Sequence, residues 1–417
     1  MFQDHKILIK NFSSLTILQI SNYLFPLITF PYLVRVLGPE KFGLINFAAA
    51  FVAYFTVLTD YGFNLSATRE ISIHRKDIEK VSSLFSNVMT TKLILFFAGA
   101  IVFLPLLFLI PKFSADYPIY LGTYLFVFGS VLFPVWFFQG MEQMKYITII
   151  NIGVKALWLV SIFVFIKSSA DVLTLVFLNS GSLIIIGVIS LIVIKKKFNV
   201  FFKRPLAKEI KRQLSEGWYY FVSTASITLY TNSNIFILGL FTNNEVVGYF
   251  AAADKLRMAI QGLFGNAAQT VFPHLSLMFK ESKIKAVRFV KKYLRLSLLA
   301  AAIVTLTVFI FSREIVIVIL GQNYLSSLPV FRVILFLPII ILISNIYGIQ
   351  VMLNLGYKKE FFKVIFYAGI GNLVLSFVLV PKFYAIGTAF AVTITEIIVS
   401  LGMWGFTHRK SLLKESD

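Results

Sequence analysis

VLTLVFLNSGSLIIIGVISLIVIKKKFNVFFKRPLAKEIKR, residues 172–212, carries both signals from which the architecture follows. Residues 172–194 are uncharged and almost wholly apolar. A helix needs about 20 such residues to cross a hydrocarbon core of about 30 Å. Eight Lys or Arg then follow within residues 195–212. Short loops rich in Lys and Arg mark the cytoplasmic side of a membrane.

The same alternation runs outward in both directions. Uncharged apolar runs occupy residues 11–34, 42–59, 93–111, 117–141, 172–194, 217–244, 258–279, 296–312, 333–357 and 364–381. Two further spans, 146–166 and 383–407, carry one internal charge each, Lys155 and Glu396. The expectation is twelve transmembrane helices. Composition agrees: 58% of the 417 residues are hydrophobic and 14% charged, where a soluble domain is about a quarter charged. With a cytoplasmic N-terminus, the inside segments hold 28 Lys or Arg and the outside segments six. Both termini are therefore expected in the cytoplasm. The first apolar run is too long for a signal-peptide core, contains Pro26 and Pro31, and lacks a small-residue cleavage site. No cysteine is present, which excludes disulfides and thiolate metal sites.

An excess of 39 basic over 19 acidic residues raises the question of nucleic acid. The charges lie in short loops between spans, where topology and anionic lipids account for them, and no nucleic-acid-binding fold is recognisable. The quoted basic stretch falls after six spans. It divides the chain into an N-terminal six-helix bundle, residues 1–204, and a C-terminal one, residues 205–417. A weak internal repeat supports the division. Val36-Leu37-Gly38 followed by Phe42-Gly43-Leu44 is echoed by Leu238-Gly239-Leu240 followed by Val247-Gly248-Tyr249. Halves that both begin inside are related by an axis along the membrane normal.

Polar residues at helical spacing mark candidate functional faces. In the eighth span, Asp254, Arg257, Gln261, Gly265 and Gln269 recur at steps of three or four. Asp254 and Arg257 are spaced to pair, while Lys255 points about 100° round the helix. A charge at a helix centre costs about 2.5–3.5 kcal/mol on insertion scales, so such groups face a cavity or a partner. The first span offers Gln19, Asn22, Pro26 and Thr29; the second Asn46, Tyr54 and Asp60; the seventh Thr224, Thr228, Thr231 and Asn232; the tenth Asn345 and Gln350. Asn151 and Lys155 share a face of the fifth span. For the uncharged members, interhelical hydrogen bonding competes with cavity lining. Arg35, Lys92 and Arg332 lie near span ends, where snorkelling explains them. Glu396 is a candidate proton carrier or a helix-packing group.

Catalytic chemistry finds no foothold. His5, His74, His274 and His408 lack metal-ligand spacing, and no Gly-Lys-Ser/Thr phosphate loop occurs. No cofactor is implied. An integral membrane polymerase or ligase would be expected to carry a larger outer loop than the one near residues 313–328. A drug antiporter would more naturally carry acidic cavity residues without a cationic cluster.

Three stretches carry a resemblance: TDYGFNLSATRE at residues 59–70, PVWFFQGMEQMKY at 134–146 and YAIGTAFAVTITE at 384–396. On these the chain resembles the multidrug/oligosaccharidyl-lipid/polysaccharide (MOP) exporter superfamily, and within it the Wzx-type O-antigen flippases. The resemblance implies an all-α integral membrane protein of the MATE-like V-shaped fold, two six-helix bundles around a cavity. It implies a cargo of oligosaccharide on undecaprenyl pyrophosphate, moved from the cytoplasmic to the periplasmic leaflet of the bacterial inner membrane. A polysaccharide polymerase and a chain-length regulator would be partners. A pyrophosphate needs cations in a wet cavity, so Lys155 and Arg257 are the first candidates for the anion, then Arg35 and Lys255. Asn22, Asn232 and Gln261 are candidates for the sugars, and Asp254, Glu396 and Asp60 for ion coupling. Pro26, Pro31, Gly38 and Gly43 are candidate hinges.

Overall fold

The computed structural model describes residues 2–414. The side chains at 2–16, 20, 23, 223, 226, 227, 229–231, 266, 267, 269 and 270 lie outside that description, and with them Thr231 and Gln269 of the polar stripes. No strand occurs among the described residues. Lipid offers the backbone no hydrogen-bond partner, so helices that satisfy themselves are the expected outcome.

In chain order the helices are α1 (Phe2–Asp60), α2 (Phe63–His74), α3 (Ile78–Leu109), α4 (Pro111–Ser114), α5 (Tyr117–Leu132), α6 (Val135–Gly140), α7 (Met144–Phe165) and α8 (Val172–Phe198), then α9 (Ala207–Phe241), α10 (Asn244–Glu281), α11 (Lys283–Ile310), α12 (Ser312–Ile315), α13 (Leu328–Ile334), α14 (Leu337–Ser344) and α15 (Lys358–Arg409). Eight helical segments among the described residues are long and apolar enough to cross a membrane. Two of them, α1 and α15, are each two helices joined at a kink, at Gly38 (φ 69°) and Tyr384 (φ 51°). The first kink is written in the sequence. Glycine tolerates positive φ, and the following Pro39 disfavours helical geometry at Gly38. α9 contributes a shorter apolar helix, Asn232–Phe241, while α10, with Asp254, Lys255 and Arg257 in its first half, is not among the eight.

The chain divides into two compact units, residues 1–37 with 48–229, and residues 38–47 with 230–417. The stretch between α8 and α9 that contains residue 205 is non-helical, and the first part of α9 belongs to the first unit. In the first unit, the core is aromatic. Trp136, Phe137 and Phe138 are fully buried among Phe63, Ile71, Val81, Leu84 and Phe85. A second stack joins Phe51, Phe103, Phe113 and Tyr124, with ring centroids 4.7 Å apart for Phe51–Phe113 and 4.3 Å for Phe103–Tyr124. Small residues let α5 and α8 approach closely. Ser180 donates to the Gly122 carbonyl at 2.7 Å, and side chains added at Gly129 or Gly187 would meet the facing helix at 3.0 Å or less.

The stretches at 59–70 and 134–146 pack on each other. Thr68 Oγ1 donates to the Trp136 carbonyl at 3.2 Å, and a Cβ at Gly140 would lie 2.7 Å from Ile71. Between α8 and α9 the linker is clasped to α3. The amides of Phe201, Lys203 and Leu206 donate to Ser82 Oγ (3.2 Å), Ser86 Oγ (2.8 Å) and Asn87 Oδ1 (3.3 Å). Ser82, Ser86 and Asn87 are buried, so their polar groups find partners in a backbone that has no helix of its own to satisfy.

In the second unit, residues 38–47 run against the end of α9 and the start of α10. A Cβ at Gly43 would collide with Asn244 backbone, one at Gly248 with Pro39, and one at Gly239 with the Phe47 ring. The two stretches related by the weak repeat therefore meet each other. Gly38, with positive φ and open space around it, is a conformational glycine; Gly43 is a contact glycine. Two π-helical segments, Val316–Leu320 and Asn345–Leu353, interrupt the regular helices of this unit.

Overpacking a tight contact costs about 1–3 kcal/mol or more. Gly43→Val and Gly248→Val are therefore expected to lower the melting temperature of the detergent-solubilised protein, read by intrinsic fluorescence. Gly153→Ala, where the added carbon meets only open space, should leave it unchanged. Equal melting temperatures for all three would contradict the contact.

Candidate functional site

The membrane-depth charges of the first unit form two groups. Lys92, on α3, is fully buried, with 1% of its side chain exposed, and its Nζ lies 3.3 Å from Asp60 Oδ1. It also donates to the Ser130 carbonyl at 3.4 Å, and Asn64 Nδ2 donates to Asp60 Oδ2 at 2.6 Å. The snorkelling expected of Lys92 is thus overturned. Its position near a span end in sequence placed the head in water, but α1 carries a carboxylate at matching depth and the ammonium turns inward to it. Asp60, a candidate for ion coupling, serves as that counter-ion.

The second group is Lys155, on α7, whose Nζ donates to Asn22 Oδ1 of α1 at 2.6 Å. Lys155 is half-buried and Asn22 exposed. Asn151, one turn away, is buried and donates to its own helix at the Ile147 carbonyl, so it packs rather than presenting a free amide. Arg35, one turn before the Gly38 kink, is exposed.

In the second unit the helical spacing on α10 translates directly into contacts. Arg257 Nε donates to Asp254 Oδ1 at 2.6 Å, and its Nη1 donates to Gln261 Oε1. Both ions are largely buried, with 10% and 17% of their side chains exposed. A guanidinium has five N–H donors in a planar fork. Its two intrahelical bonds fix the plane and leave three donors beyond them. Lys255 is exposed on another side of the helix. Asn232 is half-buried on α9.

Glu396 lines a hollow of about 170 Å³ with Ile341, Ser344, Asn345 and Met403 among others. The Asn345 Oδ1 that shares this hollow is buried and has no donor among the described residues. Gln350 is spent on structure, donating to the Ala268 carbonyl at 2.8 Å. Arg332 donates to Ser312 Oγ at 3.0 Å and stacks over Phe309.

One cluster escaped the sequence reading. Asn372 Nδ2 donates to Thr395 Oγ1 at 3.2 Å, and Ser376 Oγ donates to Asn234 Oδ1 at 3.4 Å. All four side chains are buried, and Asn372 Oδ1 has no donor among the described residues. The spacing of Asn372 and Ser376, one turn apart in an otherwise apolar helix, is the signal that would have found them.

Removing one member of a buried ion pair strands the other charge, which costs about 3–5 kcal/mol. Asp60→Asn should therefore strongly reduce the yield of folded protein, by size-exclusion and thermal melting. The double variant Asp60→Asn/Lys92→Met should recover most of it. A double variant no better than the single one would refute the pairing.

Residues 8–279 match the family described as "Polysaccharide biosynthesis protein". A protein of Escherichia coli (strain K12) named "Putative O-antigen transporter" is 34% identical over 404 residues, covering 97% of each chain. A protein of the same name from Shigella dysenteriae is 30% identical over 405 residues, 94% of this chain and 98% of that one. Two solved structures share the fold. One is a multidrug resistance MATE family transporter of the MOP superfamily in an inward-facing conformation, with TM-score 0.73 and 13% identity over 94% of this chain and 96% of that one. The other is the lipid II flippase MurJ in an inward closed conformation, with TM-score 0.73 and 16% identity over 96% of this chain and 89% of that one. These relatives are named as transporters and flippases, which are not enzymes.

Proposed function

We propose that this chain, which belongs to the polysaccharide biosynthesis protein family, is a flippase for a lipid-linked oligosaccharide. The cargo is an O-antigen-like repeat unit on undecaprenyl pyrophosphate, moved from the cytoplasmic to the periplasmic leaflet of the bacterial inner membrane. The carrying observation is the end-to-end likeness to the Escherichia coli relative, 34% identical over 97% of both chains. Twelve spans are consistent with the helices: the eight apolar segments, with α1 and α15 each counted twice at their kinks, and α9 and α10 added. The positive-inside pattern then sets both termini in the cytoplasm.

The chemistry of the cargo selects the residues. A pyrophosphate must shed water to pass the membrane, and cations at depth replace that water. Lys155 is half-buried, is held by a neutral Asn22, and has two further N–H donors for phosphate. Arg257 is pre-oriented by Asp254 and Gln261, so little side-chain entropy is lost when its remaining donors bind an anion. Arg35 and Lys255 add exposed positive charge on either unit, and Asn22, Asn232 and Gln261 supply sugar-compatible amides.

Two negative charges moving outward in an inside-negative cell gain roughly 4.6 kcal/mol per 100 mV. The potential can thus drive the loaded step. Protonation resets the empty carrier, and Glu396, which lines a hollow with Ser344 and Asn345, is the candidate proton carrier. Asp254 and Asp60, already paired with Arg257 and Lys92, are better suited to holding cations than to carrying protons.

Lys155→Gln and Arg257→Gln, expressed in a strain lacking the chromosomal copy, should each cut surface polysaccharide at least tenfold at equal membrane protein level. Wild-type polysaccharide in both would refute the anion assignment. Asp254→Asn should reduce export with Arg257 still present; unchanged export with lower protein yield would make the pair a structural bridge alone.

A further inference from the structure

Three helices of the first unit converge on a small hollow that the groups described above leave unused. α2 contributes Ser66 and Glu70, α9 contributes Gln213 and Glu216, and α3 closes the back with Leu84 and Val88. On each helix the two residues are three or four apart, so each helix turns one face to the same space. The hollow measures about 20 Å³, room for a single water-sized occupant. Close packing next to it fixes the approach of α9. The rings of Tyr61 and Phe221 stack with centroids 4.7 Å apart. A Cβ at Gly62 would collide with Tyr220, and one at Gly217 would meet the Tyr61 ring at 3.0 Å.

The polar groups around this space are acceptors short of donors. Gln213 is only 8% exposed, and its Oε1 is buried with no donor among the described residues. Glu70 is half-buried, and among the described residues its carboxylate has neither an ion pair nor a hydrogen bond. Ser66 directs its proton to the Gly62 carbonyl at 3.4 Å, so its oxygen has only lone pairs left to offer. Glu216 lies 3.8 Å from the Arg212 guanidinium, which sits closer to Glu209, at 2.7 Å. Two carboxylates thus face one guanidinium that is itself shared, and the balance at the hollow is negative.

We propose that this hollow binds a dehydrated alkali-metal cation, with Glu70, Glu216, Gln213 Oε1 and Ser66 Oγ as its oxygen ligands. Donors that are all oxygen select a hard cation. Magnesium keeps several of its waters, for which the hollow has no room, and calcium takes about six to eight oxygens. The shared guanidinium leaves too little negative charge for a divalent ion and enough for a monovalent one. A water in the same place would donate to two of the acceptors but leave the Glu70 charge unbalanced against Leu84 and Val88. The cation would tie α9 to α2, and the inference stands whatever cargo the protein carries.

Thermal melting of the full-length protein in detergent tests the site, with sodium or potassium chloride titrated against choline chloride at constant ionic strength. Wild type should melt higher in sodium or potassium than in choline, with a saturable midpoint. Glu70→Gln should raise that midpoint roughly tenfold or more, because it removes a full charge at contact distance. Gln213→Leu should raise it as well. Arg212→Gln, which removes the guanidinium competing for Glu216, should lower it. Glu79→Gln, an exposed carboxylate on α3 paired with Lys203, should leave it unchanged. Equal melting of wild type in all three salts would mean that water alone fills the hollow and would overturn the site. So would a cation effect that survives Glu70→Gln but disappears in Asp254→Asn or Glu396→Gln, since the ion would then sit elsewhere. If Glu70→Gln does not fold, Val88→Met decides, because it fills the hollow and keeps every oxygen. Loss of the cation effect there supports the site, and an unchanged midpoint overturns it.

Discussion

Charge at membrane depth organises this protein. A lysine or arginine surrounded by hydrocarbon must reach water, a counter-ion or a polar partner, because leaving it bare costs several kcal/mol. The chain meets that demand in distinct ways within its two units. Lys92 is neutralised by Asp60 and sealed from solvent. Lys155 is met by an uncharged amide, that of Asn22. Arg257 is aligned by a carboxylate and an amide from its own helix. The uncharged partner of Lys155 and the remaining N–H donors of Arg257 are what recommend these two for the proposed anion site, whereas Lys92, paired with Asp60 and sealed off, is a structural pin.

The helices that position these groups rest on small residues and on satisfied backbone. Gly43, Gly239 and Gly248 let residues 38–47 lie against α9 and α10, and Gly129 with Gly187 does the same for α5 and α8. The stretches at 59–70 and 134–146, on which the family resemblance was drawn, lock α2 onto α6 through Thr68 and Gly140. That contact helps to build the first unit. The linker clasp on Ser82, Ser86 and Asn87 belongs to the same class of construction.

Much of this could be read before any coordinates. The all-helical membrane class came from runs of apolar residues, a signal that depends only on hydrocarbon thickness. The Asp254–Arg257–Gln261 ladder came from helical spacing, since its contacts lie within one helix and need no tertiary information. The kink at Gly38 falls on one of the four candidate hinges, between the first two expected spans. What stayed hidden required knowledge of which helices are neighbours. Lys92 and Asp60 are 32 residues apart, so neither sequence position announces the other. Asn234 and Ser376 are 142 apart, so the one-turn spacing of Asn372 and Ser376 marks a polar face without naming its partner. The break at Tyr384 falls where the spans 364–381 and 383–407 are expected to meet; only the residue that bends was hidden, since tyrosine seldom adopts positive φ.

The central claim is that the protein carries a pyrophosphate-bearing glycolipid between leaflets. Its most direct test is reconstitution into vesicles with a fluorescent oligosaccharide on polyprenyl pyrophosphate, followed by quenching from outside under an imposed potential, negative on the cytoplasmic side. Exposure of the label well above the rate in protein-free vesicles, accelerated by that potential, is the result expected. Exposure no faster than in protein-free vesicles, with the protein folded and inserted, would contradict it.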